Sequence, residues 1–433
     1  MNLKRIVVIL FAGALAVVAA ARDFVHPGID VSQADIDRAR KLVTEGREPW
    51  KSSFEALRTC RFTRLDVQVK DRGTFLETGR CNGMIGWDGR CAHDLALLYR
   101  LTDDERYAQK AIEYLNANSH YEKLRWGGTM ALDYGKIYLL VEAAELLRYH
   151  PGWAKEDKIR FAKMLRDVFY PYLKNGDSGR FGNQGLFAFR GALAIAIFLE
   201  DSRKFDRVWR YLNGLPHHPK DEPFVPGPPI VAEDFHEGRH QRDLHVTGRS
   251  DEVADYGYDE QLRYYIYRNG QCQETSRDQG HVMAGLFQYV AIAEAFWLQG
   301  RDLYGALDNR ILTGLEWNLR FNFGEWQPKG FTGDESEVSY DNGLFYQAKH
   351  RSGRWQSLAP NLDRPAFGGP GSPREAAYAH YRYEKKLPPA RLTWLKKAID
   401  EENARNGGFE TWGAAPNWYY EWSGWGTLMK RRP

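Results

Sequence analysis

An all-α fold, an α/α toroid made as an incomplete barrel of helical hairpins, is predicted by three observations on this 433-residue chain. Apolar residues recur at helical spacing from Ser32 to about residue 320. Short polar turns such as Leu101-Thr-Asp-Asp104 and Leu199-Glu-Asp-Ser202 join the periodic stretches, so successive helices should run antiparallel. Nothing in that span shows the period of two that a β-meander requires. A succession of hairpins without strict repeats suits a ring whose inner helices converge on one funnel.

Taken in order, Lys4 and Arg5 precede an apolar run from Ile6 to Val18 and then Ala19-Ala20-Ala21, the layout of a secretory signal. Residues 1–21 are therefore expected to be removed and 22–433 to fold as one domain, periplasmic or secreted. The apolar run is short for a membrane span, and no cysteine at the cleavage point offers a lipid attachment, so no membrane partner is expected. Helix starts are marked by Ser32-x-x-Asp35, Asp103-Asp104-Glu105 and Lys155-Glu156-Asp157. The spacing predicts helices over 33–45, 48–59, 88–101, 104–118, 129–149, 155–174, 184–200, 203–213, 257–268, 274–299 and 302–320. Two segments break the pattern. Residues 215–256, opening with Pro216, Pro219, Pro223, Pro226, Pro228 and Pro229, read as a lid or insertion loop. Residues 321–372, interrupted by glycines and by Trp326, Tyr340, Tyr346 and Trp355, read as a segment folded over the funnel rim. A last helical region over 373–405 leads to the aromatic tail Trp418–Trp425, expected to be a packing plug.

Charge is nearly balanced, with 60 Lys and Arg against 57 Asp and Glu, and the signal carries two of the cations. Nucleic acid is not an expected partner for an exported chain without a basic excess. At 14% aromatic residues with 14 tryptophans, the chain is richer in rings than a core needs. Such rings either stack on sugars or make an aromatic core. Four cysteines permit two disulfides in an oxidising compartment. Three connectivities are possible; Cys81 and Cys91, close in sequence, are the expected pair, while Cys272 reads equally as a buried thiol. No Cys-x-x-Cys spacing suggests zinc.

The most informative segment is Gly270-Gln-Cys-Gln-Glu-Thr-Ser-Arg-Asp-Gln-Gly-His281. It sets Glu274, Arg277, Asp278 and His281 on one face if the helix begins at 274. Val282, Leu286, Tyr289, Ile292, Ala293 and Phe296 supply apolar surface around the rest, so the polar stripe should line an internal cleft. A cation, an imidazole and two carboxylates can bind a charged substrate and move a proton. The plain alternative is a structural ion-pair network. Arg277 suits a sugar carboxylate and His281 a general base, with Glu274 and Asp278 orienting them. Two carboxylates one turn apart on one helix seldom flank a scissile glycosidic bond.

Asn183, in Arg180-Phe-Gly-Asn-Gln-Gly185, is placed to cap the following helix, or with Gln184 to aim donors at a carboxylate or developing enolate. His236-Glu237-Gly-Arg-His240, with His245 nearby, matches the zinc-peptidase pattern. Gly238 and the preceding prolines argue against the helix that pattern needs, so no metal is expected there. Tyr340 in the rim segment is the candidate proton-transfer tyrosine, with Tyr258, Tyr267, Tyr346 and Tyr381 as rivals. Trp87, Trp126 and Tyr134 are candidates for sugar subsites or for core.

These residues give the chain a resemblance to the alginate-lyase-domain polysaccharide lyases, most closely polysaccharide lyase family 38, over nearly the whole of 22–433. Besides the 270–281 segment it rests on His26-Pro-Gly, Glu48-Pro-Trp-Lys51, the Leu101 to Asn118 hairpin, Ala143-Ala-Glu-Leu-Leu147, Gly182-Asn183, Gln299-Gly-Arg-Asp-Leu-Tyr304 and Gly424-Trp-Gly-Thr427. The resemblance implies an α/α toroid that cleaves a 1,4-linked polyuronate, such as polymannuronate or glucuronan, by β-elimination. It places Asn183 and His281, helped by Arg277, at the substrate carboxylate, and a tyrosine near Tyr340 at the proton transfer. Gln184 stands where some relatives have an aromatic residue or histidine, and the 215–256 insertion departs from the compact pattern. An anionic polysaccharide partner, no cofactor and a monomer are the corresponding expectations. The competing readings are a zinc metallopeptidase on His236 and His240 and a non-catalytic glycan-binding toroid.

Overall fold

In a computed structural model the described residues are 23–76, 82–124, 130–176, 182–224, 260–276, 279–324, 326–347, 373–405, 407–410 and 425–433. Outside them lie the expected signal, Cys81, Trp126, most of the lid with His236, Glu237, His240, His245 and Tyr258, then Arg277, Asp278, the rim beyond 347 and the tail before Trp425.

Helix α1 (Gln33–Thr44) begins where the sequence places it. The Ser32 hydroxyl accepts from the Asp35 amide, and the Asp35 carboxylate accepts from the Ser32 amide, so two orphan donors are satisfied together. There follow α2 (Trp50–Thr59), α3 (Trp87–Thr102), α4 (Glu105–Ala117), α5 (Met130–Gly135), α6 (Tyr138–Leu146), α7 (Lys155–Met164) and α8 (Tyr170–Leu173). The second half contains α9 (Asn183–Phe198), α10 (Ser202–Leu212), α11 (Leu262–Tyr265), α12 (Gln279–Leu298), α13 (Ala306–Asn322), α14 (Arg374–Ala379), α15 (Thr393–Arg405) and α16 (Gly426–Met429). Asp104 and Asp201 cap α4 and α10 through their carboxylates.

Three expected helices are broken, each for a physical reason. The 129–149 helix divides into α5 and α6 where Gly135 lies against α9: a Cβ there would stand 2.6 Å from the Phe187 carbonyl oxygen. The 155–174 helix carries a wide π turn over Leu165–Phe169 just before Pro171, which has no N–H to donate. The 373–405 region splits into α14 and α15 around Pro388. Of the expected 257–268 helix, only the single turn α11 is helical among the described residues. Two short parallel pairs complete the elements: β1 (Phe75–Leu76) with β2 (Lys123–Leu124), and β3 (Lys329–Phe331) with β4 (Leu344–Tyr346), in the register Lys329 to Leu344.

Burial sorts the helices into two layers. All of α6 and α9 and nearly all of α3 are buried, so these are inner helices with no solvent face. Helices α4 and α10 bury only a stripe and lie outside them, while α13 is buried almost continuously over its second half. Helix α12 is long and apolar enough to cross a membrane, yet most of it is buried where it packs on α9, α13 and α14. Contacts run α1–α3–α6–α9–α12–α14–α16 and back to α1, so the ring closes on itself. The opening of the expected lid is strapped to α10: Arg207 donates to Asp221 (2.9 Å) and to the Glu222 carbonyl (2.6 Å).

Closure is polar as well as apolar. The Lys430 ammonium sits between Asp35 (2.9 Å) and Glu294 (2.7 Å), joining the C-terminus to α1 and α12. Trp425, fully buried, donates from Nε1 to Asp94 Oδ1 at 3.0 Å, so the described end of the aromatic tail is the plug the sequence implies. Asp94 also takes Arg90 Nε (2.8 Å) and faces His93 Nδ1 (3.1 Å), whose Nε2 meets Asp30 at 2.8 Å. Burial works against charge on His93, but the hydrogen bonds and charges of Asp30 and Asp94 prevail and raise its pKa to about 10.

Cys60, Cys91 and Cys272 are free thiols, which corrects the expected Cys81–Cys91 bridge. Cys91 points into the core between α3 and α4, where burial raises its pKa and the Tyr114 hydroxyl is its hydrogen-bond partner. Burial, and then the charge of Asp94, push Cys60 up to about 11. Cys272 is the buried thiol of the alternative reading.

Trp425→Ala should cost about 3–5 kcal/mol in urea unfolding, because it opens a large cavity and strips Asp94 of a donor. A loss typical of an exposed site would show that the tail does not close the ring. His93 contributes stability fully below its ordinary pKa of 6.5, and this is lost as the pH rises towards about 10. Thermal midpoints should therefore fall over that window, and His93→Gln should flatten the fall.

Candidate functional site

The inner helices α9 and α12 start side by side, and what holds the two starts together is a carboxylate. Glu274 has no solvent exposure, and its Oε2 accepts the backbone N–H of Asn183 at 2.8 Å and the Tyr265 hydroxyl at 2.8 Å. Gly182, with φ of +77°, lets it come this close: a Cβ there would stand 2.8 Å from Glu274 Cδ. The first turn of α9 is met on another side by Glu260, which accepts from Tyr211 at 2.8 Å and fills the space over Gly185.

Two expectations change here. Asn183 is not the cap of α9; Gly182 holds the cap position, and Glu274 supplies the missing acceptor from across the fold. Nor do Glu274 and His281 share one α-helical face. Gln273–Ser276 form a 3-10 turn and α12 begins at Gln279, because Glu274 is drawn aside to α9. Glu274 is thus a fully buried anchor between the two helix starts.

The structure does bring Asn183 and His281 together. Asn183 Nδ2 donates to the His281 carbonyl oxygen at 3.4 Å, a long hydrogen bond, with Asn183 4% exposed and His281 half-buried. Gln184, 7% exposed, leaves its Oε1 without a hydrogen-bond partner among the described residues. Arg277 and Asp278 fall between the 3-10 turn and α12, outside the described residues.

Rim residues sit over the same end, because α12 and α13 form an antiparallel hairpin whose C-terminal arm returns there. Strand β4 is pinned to the segment before Glu274: Gln271 Nε2 donates to the Tyr346 carbonyl (2.8 Å), and Gln271 Oε1 accepts the Tyr346 N–H (2.9 Å). Tyr340 is half-buried beside Trp326, in the cluster of Trp317, Phe321 and Phe345, with the Arg320 guanidinium 6.0 Å from its ring. Burial raises its pKa, the nearby Glu316 charge adds to this, and Arg320 opposes it. None of its described contacts reaches Asn183 or His281. Among its rivals, Tyr381 is fully buried and donates to the Tyr304 carbonyl (3.0 Å), while Tyr267 is fully buried with its ring edge against Tyr346.

Of the sugar-subsite or core candidates, Tyr134 lies in the core and Trp87 is half-buried. Tyr134 is fully buried, its hydroxyl directed to the Leu76 carbonyl and its ring against Phe169. Trp87 packs on Phe62 at 5.0 Å, with the Arg61 guanidinium 5.3 Å from its ring. Sequence reading missed Tyr265 as a donor to Glu274. Its signal was Gly285, where a Cβ would lie 1.5 Å from the Tyr265 hydroxyl.

Among the described residues, one group has metal-ligand proximity: Asp30, His93 and Glu142 offer atoms within 4.8 Å of one another. Those donors are already engaged, His93 by Asp30 and Asp94 and Glu142 by Arg190 at 2.9 Å. They form part of the ring-closing network.

Electrostatically, Glu274 occupies the positive end of α9. An anion entering beside Asn183 therefore meets side chains, the amide and the His281 region, and not an open helix pole. Burial, and then the Glu274 charge, raise the Tyr265 pKa well above its ordinary value, so Tyr265 remains a donor.

No family model and no curated protein matches the sequence. Among solved structures, an alginate lyase from Bacteroides ovatus is similar with a TM-score of 0.52 and 11% identity, over 94% of this chain and 100% of that one. Alginate lyase A1-III from Sphingomonas species A1 is similar with a TM-score of 0.55 and 13% identity, over 94% and 98%. A variant of A1-III complexed with a tetrasaccharide gives 0.52 and 13%, over 94% and 97%. The chain has the α/α toroid fold of these proteins.

Each buried donor left without a partner costs about 1–3 kcal/mol. Glu274→Ala, which orphans both Asn183 N–H and Tyr265 O–H, should therefore destabilise the protein more than Tyr265→Phe, which keeps the bond to Asn183. Chemical denaturation giving the reverse order would remove Glu274 from the anchor role.

Proposed function

We propose that the chain is an exported polysaccharide lyase that cleaves a 1,4-linked polyuronate, polymannuronate or glucuronan, by β-elimination. The observation that carries this reading is the meeting of Asn183 and His281 at the start of two inner helices. Support comes from the shared fold with three alginate-lyase structures, one holding a tetrasaccharide. The leader-like first 21 residues support export to the periplasm or beyond, where such a polymer is met.

The C5 proton of a uronate is weakly acidic until the adjoining carboxylate is neutralised. In this reading the Asn183 amide, His281 and Arg277 bind that carboxylate and stabilise the enolate-like intermediate. A base then removes the C5 proton, the C4–O4 bond breaks, C4 and C5 become doubly bonded, and O4 takes up a proton. Tyr340 is the proposed group for these proton transfers, standing on the rim above the same end of the barrel; His281 is the base if they occur on opposite faces. With Glu274 closing the pole of α9, charge neutralisation falls to side chains, which suits a substrate acid that must be held and then released. The rim and the strapped lid segment suit a monomer acting on a polymer threaded along the funnel.

Incubation with polymannuronate, glucuronan and polyguluronate should generate ultraviolet absorbance from the unsaturated uronate end on at least one polymer. Asn183→Ala and His281→Ala should each lower turnover by about 10²–10³-fold, and Tyr340→Phe should abolish it with polymer binding retained. Binding without any absorbance in the unaltered protein would favour a non-catalytic glycan-binding toroid.

A further inference from the structure

A polar cavity lies far from Asn183 and His281, at the seam where the ring closes. Its volume is about 200 Å³, and its walls come from α1, the C-terminal end of α12, the π turn after α14 and the last residues of the chain. It is lined in part by Glu294, thirteen residues along α12 from His281, which places it roughly 20 Å from the start of that helix at 1.5 Å per residue.

The wall holds a buried imidazole whose hydrogen-bonding needs the fold does not meet. His380 is 2% exposed, and neither ring nitrogen has a hydrogen-bond partner among the described residues. The nearest carboxylate oxygen, on Asp302, is 4.0 Å from Nε2, beyond hydrogen-bond range. The ring is fixed, stacked on Tyr304 at 3.9 Å and edge-on to Trp297 at 4.6 Å. Burial, only partly offset by Asp302, pushes its pKa down to about 4, so at neutral pH it offers one donor and one acceptor. Two guanidinium groups share the condition: Arg38 Nε and Arg432 Nε are buried and also without partners.

Charge narrows the ligand class. Arg38 pairs with Asp35 (2.6 Å), Lys430 with Asp35 and Glu294, and Arg432 with Glu384 (2.8 Å). Three cations thus face three carboxylates, and an entering anion would find no unpaired cation. A hydroxyl, by contrast, both accepts from a guanidinium N–H and serves either state of an imidazole nitrogen. Trp297, half-buried in the wall, adds an apolar face of the kind that stacks on a sugar ring.

We propose that this seam cavity binds a neutral pyranose, one ring in size, through His380, Arg38 and Arg432 with Trp297 as its platform. The site is separate from the cleft and stands whether or not the cleft eliminates. Its ligand touches α1, α12 and the C-terminus together, so binding tightens the closure made by Lys430.

The test uses the full chain with D-glucose and D-mannose as neutral probes and D-glucuronate and acetate as anionic ones, read by ligand-observed NMR and by thermal shift. At least one neutral sugar should bind saturably and raise the denaturation midpoint. His380→Phe, which keeps the stack on Tyr304, and Arg432→Ala near the chain end should each weaken that binding about tenfold or more. His281→Ala in the cleft should leave it unchanged, and His380→Phe should leave polymer cleavage unchanged. The proposal is overturned if no neutral sugar binds, if only the anionic probes bind, if binding survives both seam variants, or if crystals soaked in the sugar show only water in the cavity.

Discussion

One buried carboxylate sets the geometry of the whole upper end of the barrel. Glu274 reaches from the segment before α12 to the first N–H of α9, and Tyr265 completes it from a third element. Removing an ionised carboxylate from water is expensive, and two short hydrogen bonds together with the positive end of a helix offset that cost. Because the two inner helices are joined at their first turns, Asn183 and His281 are placed by the barrel itself and not by a mobile loop. A site carried on rigid elements keeps its geometry more closely than one carried on loops.

The same interaction decides what kind of electrostatics the cleft can use. A bare helix start would attract any anion, phosphate as readily as a sugar acid. With Glu274 seated there, and with Glu260 packed over the same first turn, the pole is spent inside the protein. On the proposed reading, recognition of an acid comes from donors with direction, the amide of Asn183 and groups near His281. Directional donors can be aimed at the position of a developing charge, whereas a pole attracts ground state and transition state alike.

Helices were legible where local chemistry governs them. The Ser32 and Asp35 pair, the Asp104 and Asp201 caps and the apolar runs of α9 and α12 depend on neighbours a few residues away, and the structure follows them closely. Breaks and partners were less legible because they are made at long range. Gly135 divides a periodic stretch only because Phe187 lies against it. Spacing from 274 to 281 reads as a helical stripe, yet an acceptor was needed 91 positions earlier in the chain, and that demand outweighed periodicity. Gly182, Gly185 and Gly285 were the visible traces of this: each clears room for a carboxylate or a hydroxyl of a distant element. Tyr134 was open between sugar subsite and core because an aromatic residue looks the same in sequence whichever way its ring faces, and burial places it in the core.

Separation of stability from chemistry follows from the direction of α12. Its first turn sets His281 beside Asn183, while Glu294 near its far end holds Lys430 and so closes the ring. The charges that close the seam are paired with one another, while Glu274 is held by the Asn183 N–H and the Tyr265 hydroxyl, so the two networks share no member among these groups. The direct link from the seam to the start of α12 is that helix itself. Such a helix, buried on nearly every side, has little freedom to shift without disturbing the packing of α9 and α13. The barrel is in this sense built to keep its mouth indifferent to how its ends are tied.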